Sequence, residues 1–181
     1  MTDSRPVRLT PLPAEDWDER ARASLASLIP PERANPSGAG NVLSTLVRHP
    51  DLTRAYLPFN AYLLRGSTLS PRVREVALLR VVSRGECEYL WDHHIPIAER
   101  AGLSAQDISA IRSGVATDGV DRMVVGAVDE LMEHHTITQP TWDELGSAFS
   151  DQQRMDLVFT IGGYLLLALA VNTLGVQSEH S

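Results

Sequence analysis

The chain has 181 residues, 43% of them hydrophobic and 22% charged, with a formal charge of −7. That length suits one domain, residues 1–181, with its own core, and the composition is far from disordered, collagen-like or disulfide-rich chains. All 16 basic residues are arginines scattered among acids, which argues against nucleic acid or an anionic membrane as partner and removes lysine Schiff-base chemistry.

The opening stretch MTDSRPVRLTPLPAEDWDER lacks an apolar signal core, and the lone cysteine, Cys87, cannot form an intramolecular disulfide. Both lead to the expectation of a cytoplasmic protein. Residues 1–14, with three prolines and no hydrophobic period, read as an extended arm. From Ala14 the spacing of Trp17, Ala21, Leu25 and Leu28 predicts a first amphipathic helix ending at Pro30-Pro31. PPERANPSGAG reads as a loop, and Val42, Leu43, Leu46 and Val47 as a short helix stopped by His49-Pro50.

From Asp51 a further helix carries Leu52, Tyr56, Phe59, Leu63 and Leu64 near one face, with Pro58 as a point of kinking or division. Ser70-Pro71 reads as the cap and first residue of the next helix, which Gly85 interrupts. Within it VALLRVVS alone could pass for a strand, but its capped start and length favour helix. Helical spacing resumes from Cys87 to Gly102, Ser104 caps a short helix, and two more follow over about 121–135 and 142–149. A long apolar helix closes the chain from Asp151 to about Leu174. No segment alternates with period two, so the expected fold class is all-α.

The run Leu157 to Val171 is shorter than the roughly 20 residues of a spanning helix, so it reads as buried rather than membrane-crossing. It is too apolar all round for an exposed face, which predicts a homo-oligomer. Tyr164 and Asn172, eight apart on this helix, need polar partners at an interface or a cavity floor.

GECEYLWDHH, residues 85–94, concentrates the chemistry-bearing side chains. Seven residues apart on one helix, Cys87 and His94 point the same way about 10 Å apart, a spacing that suits a pocket. A helix N-terminus favours a thiolate at Cys87, while a small buried hydrophobe is the plainer alternative. His93, about a hundred degrees around the helix, is expected solvated or interfacial. His134-His135 with Glu130 and Glu133 lacks an HExxH grouping and a third ligand, so no metal and no cofactor is expected.

The run Glu75 to His94 resembles the signature of the carboxymuconolactone decarboxylase and alkylhydroperoxidase D-like proteins. In their peroxidase branch it runs Glu, eleven residues, Cys, two residues, Cys, three residues, His. Glu75, Cys87 and His94 stand at that spacing, Leu90 occupies the second cysteine position, and Tyr89 replaces the histidine before it. LVRHPDL, STLSPRVREVALLR, IAERAGLS, AVDEL and YLLLALAVNTLGV extend the resemblance along nearly the whole chain.

The resemblance implies an all-helical bundle assembling into homo-oligomers (dimer, trimer or hexamer), with acid–base residues on two antiparallel helices at a subunit-facing cavity. It implies Glu75 as general base or proton relay, His94 as acid or base toward a small-molecule substrate, and Cys87 as a third proton-transfer group or polar lining. Tyr89 then donates to a developing enolate and Trp91 forms an apolar wall. The alternatives are a structural salt bridge of Glu75 with Arg72, Arg74 or Arg80, and a core role for Trp91. At the level of function the expectation is proton-transfer chemistry on a lactone or carbonyl compound. A one-cysteine peroxidase or redox sensor, or a silent ligand-binding oligomer, are the other readings.

Overall fold

The computed structural model describes residues 5–116 and 119–179; the first four residues of the expected arm lie outside the described residues. Among the described residues there are nine α-helices and no strand, in agreement with the all-α reading. They are α1 (Glu19–Ala23), α2 (Pro36–Leu46), α3 (Pro50–Arg65), α4 (Pro71–Arg84), α5 (Glu88–Arg100), α6 (Ala105–Ser113), α7 (Gly119–His134), α8 (Gln139–Gly146) and α9 (Asp151–Leu174). The described residues divide into two compact units, one of residues 5–66 and 170–179 and one of residues 67–116 and 119–169.

In the first unit the N-terminal arm is tied down by its backbone. The N–H groups of Arg8 and Leu9 donate to the Leu174 carbonyl, and that of Leu12 to Ser44. The first helix is shorter than its apolar spacing predicts. Trp17 is extended (φ −75, ψ 93), and Asp18 caps a new start by accepting from the Ala21 N–H at 2.7 Å. Trp17, Ala21 and Leu25 are nonetheless buried together with Ala34, Val47 and Leu57. The apolar pattern thus records burial, while the Asp18 cap decides where the helix begins.

The expected loop before α2 is partly helical. Asn35 caps at Gly38 and Pro36 opens the first turn, with a break at Gly40 (φ 71, ψ 174). α3 runs unbroken through Pro58, and it buries Thr53, Leu57, Asn60 and Leu63 while Leu52 and Tyr62 stay exposed. The buried face is therefore rotated from the apolar set toward Thr53, whose hydroxyl donates to the Leu46 and His49 carbonyls.

In the second unit α4 is the central helix. Ser70 accepts from the Val73 N–H, Pro71 occupies the first helical position, and the chain is buried from Glu75 to Val82. A helix buried on all sides loses the amphipathic period, which is why VALLRVVS resembles a strand in isolation. Its neighbours are α5, α6 and α7. Buried Arg80 forms a bidentate pair with Asp129 of α7, and it also donates to the carbonyls of Ile111 and Arg112 at the end of α6. Arg72 reaches Asp107, Asp121 and the Gly102 carbonyl.

α9 is long and apolar enough, by length and composition, to cross a membrane, extending beyond the fifteen-residue apolar run. Within the second unit it buries Leu157, Thr160, Ile161, Tyr164 and Ala168. Its buried Asp156 accepts from both the backbone and the hydroxyl of Thr68, at 2.6 and 2.7 Å, and so secures the approach to α4.

Candidate active site

Glu75 and His94 meet in the second unit. Glu75 sits in the first half of α4, turned inward and fully buried, and His94 lies midway along α5 at 8% exposure. His94 Nδ1 is 2.9 Å from Glu75 Oε2. An ionised carboxylate only accepts, so with Glu75 ionised Nδ1 donates, and Nε2 is the ring nitrogen left to accept a hydrogen bond or a proton.

The second carboxylate oxygen, Oε1, accepts from Arg74 Nε at 3.2 Å. Of the three arginines considered beside Glu75, Arg72 and Arg80 are committed to Asp107, Asp121 and Asp129. The pairing of Glu75 with Arg74 and its bond to His94 therefore coexist. A fourth group completes the surroundings: the ring of Tyr164, buried on α9, meets the imidazole edge-on at 5.6 Å between centroids.

Cys87 is the N-cap residue of α5 rather than part of its first turn, with φ −100 and ψ 83, and it is 1% exposed. The turn that delivers it passes through Glu86 at φ 50, an uncommon backbone state for a residue with a side chain. The Cys87 N–H donates to the Val82 carbonyl at 2.9 Å, closing the end of α4 onto the start of α5.

Tyr89 and Trp91 each have a ring contact of their own. Tyr89 stacks on exposed His93 at 4.3 Å, and Trp91 is buried beneath the Arg112 guanidinium, 4.7 Å from its ring centroid. Arg112 also pairs with Glu88, so Trp91 helps pack α5 on α6. Glu130 accepts from Thr138 and Thr141 at the turn between α7 and α8, which holds its carboxyl below the usual range, the Thr141 bond contributing most. Among the described residues no group of three or more His, Cys, Asp or Glu side chains is arranged to hold a metal.

Sequence reasoning placed Arg74 only as one of three possible partners of Glu75, and Tyr164 only as a polar group needing one. Tyr164 is seventy residues from His94, too far for any local pattern to connect them.

The sequence model of the carboxymuconolactone decarboxylase family matches residues 50–130, a span that holds Glu75, Cys87 and His94. That match spans less than half of the chain, and over it the chain is similar to this family. Its fold is similar to an alkylhydroperoxidase AhpD core, an uncharacterized peroxidase-related protein from Ralstonia eutropha JMP134, with TM-score 0.74 and 16% identity over 97% of this chain and 94% of that one. A variant of the debrominase Bmp8 in complex with 2,3,4-tribromopyrrole aligns at TM-score 0.74 and 16% identity over 98% and 94% of the two chains. A peroxidase-related protein from Silicibacter sp. TM1040 aligns at 0.73 and 16% identity over 98% and 95%. No curated protein matches the sequence. The matched model is named for a decarboxylase, and one of the similar structures is a debrominase.

Proposed function

We propose that this protein is a general acid–base enzyme acting on a small lactone or carbonyl compound, with His94 as the group that moves the proton. The observation that carries the reading is the 2.9 Å hydrogen bond between His94 Nδ1 and fully buried Glu75. A carboxylate behind one imidazole nitrogen orients the ring and stabilises the positive charge it acquires on taking a proton. Glu75 relays or balances that charge, and Cys87 adds a buried polar group at the N-terminus of α5.

A second reading makes Cys87 the reacting group, in a thiol-dependent reduction. Its position at the N-terminus of a 13-residue helix favours it, since helix dipoles stabilise thiolates. Its 1% exposure weighs against it, because the oxidant must reach sulfur.

The two separate in one assay. The protein is incubated in D2O with a panel of lactones and β-keto acids, and deuterium at carbon and released carbon dioxide are followed. Activity that falls about 10²- to 10⁴-fold in His94→Gln and persists in Cys87→Ser supports proton transfer. Hydroperoxide consumption lost in Cys87→Ser, with a silent panel, overturns it in favour of the thiol reading.

We also propose that the protein works as a homo-oligomer. Met155, Phe159, Leu166 and Leu169 are each more than half exposed along one stripe of α9, with Gly162 open between them. Large apolar side chains recurring at steps of three and four on an otherwise buried helix match the seam of a helix–helix interface.

A further inference from the structure

We propose that Arg74 is a positioning residue for the candidate site: by pairing with Glu75 it keeps His94 in the neutral, Nδ1-protonated form that can accept a proton at Nε2. The inference rests on the acid–base reading of His94.

The charge balance of the cluster carries it. Glu75 is 0% exposed, so its ionised form needs a positive partner within the protein. Two groups compete for that role, one on each carboxylate oxygen. Arg74 Nε is 3.2 Å from Oε1, and His94 Nδ1 is 2.9 Å from Oε2. Arginine is permanently charged, whereas the imidazole carries charge only when protonated. With Arg74 in place the carboxylate is already balanced, and His94 supplies only a neutral N–H donor. Without Arg74 the same carboxylate draws a second proton onto His94, converting it to imidazolium and removing the basic Nε2.

The charged groups on the helices packed against α4 and α5 have partners of their own: Asp121 and Asp129 of α7 pair with Arg72 and Arg80. From α9 the facing group is Tyr164, through a ring edge. From α6, Arg112 is held by Glu88 and Trp91. On α5 itself His93 turns outward onto Tyr89, and Cys87 caps the helix N-terminus. Arg74 is therefore the cation placed to set the charge on Glu75. Its side chain is 14% exposed, so the pairing is shielded from solvent.

The test is nitrogen-15 NMR of the imidazole in the full chain, with no substrate, and with the His94 signal assigned by its loss in His94→Gln. The wild-type protein at pH 7 is expected to show a neutral His94 protonated at Nδ1. In Arg74→Gln the imidazolium signature should persist to distinctly higher pH, in Arg74→Lys it should return toward wild type, and in the double variant with Glu75→Gln the effect of Arg74→Gln should vanish. Circular dichroism checks the fold, and Arg74→Met replaces Arg74→Gln if that variant does not fold. An imidazolium in the wild type at pH 7, or the same titration in wild type and folded Arg74→Gln, overturns the proposal. Because the spectra require no turnover, they report on Arg74 even if the proposed reaction fails its own assay.

Discussion

His94 Nδ1 and Glu75 Oε2 lie 2.9 Å apart although 19 residues and a helix–turn–helix separate them in sequence. The short turn through Gly85, Glu86 and Cys87 folds α5 back along α4 and brings the two side chains together in a buried setting. The pair is thus both a structural contact of the second unit and its candidate chemistry, and the two roles respond differently to substitution.

Glu75→Ala should destabilise the protein by about 3–5 kcal/mol, because it strips the acceptor from both Arg74 and His94 in a buried site. Glu75→Gln retains shape and one acceptor oxygen, so its stability loss should be smaller while proton transfer falls as in His94→Gln. Urea denaturation compared with turnover checks this; equal stability of Glu75→Ala and wild type would contradict the buried pairing.

Cys87, at 1% exposure, should react with a bulky disulfide reagent far more slowly in the native protein than in urea. Stopped-flow absorbance measures both rates. A native rate equal to that of the unfolded chain would mean that the turn between α4 and α5 opens freely, and would strengthen the thiol reading.

Arg80→Ala should cost about 3 kcal/mol, since it takes the bidentate donor from Asp129, which keeps only the longer pairing with Arg84, and removes one donor from each of the terminal carbonyls of α6. Arg80→Lys should recover little, as an ammonium cannot reproduce the planar fork. Gly114→Ala should act on the same contact, because a Cβ there comes within 2.7 Å of Arg80 Nη2 and the backbone is left-handed (φ 80). Thermal unfolding of the three variants checks the order.

Asp107 closes a capping box with Ser104, whose backbone and side chain hydrogen bonds, aided by Arg72, hold its carboxyl below the ordinary 3.8. A depressed carboxylate contributes its stability above the ordinary value, and that stability is lost as pH falls through the lowered one. The N-terminus of α6 should therefore loosen only under distinctly acid conditions. Amide exchange across 105–108 at decreasing pH tests this, and Ser104→Ala should move the loss to higher pH.

Phe159→Glu or Leu166→Glu should reduce the molar mass in light scattering to a smaller species while the helical content stays intact, because each places a charge in the proposed α9 seam. An unchanged mass in both variants would remove α9 from the interface.

The amino-acid sequence by itself determined the features that depend on contacts within a turn or two. Ser70 with Pro71 and Ser104 with Asp107 define helix starts by hydrogen bonds three residues long, and the Glu75, Cys87 and His94 spacing carries the family resemblance. Only the tertiary structure decided which competing partner each side chain took. Arg72, Arg74 and Arg80 share one helix, yet only Arg74 reaches Glu75, because α6 and α7 bring aspartates and carbonyls to the other two. Trp91 lies beneath Arg112, Tyr164 meets His94, and α3 turns Thr53 inward in place of Leu52 for the same reason. Partners dozens of residues away are set by how whole helices pack, and the local periodicity of any one helix carries no record of what lies opposite its face.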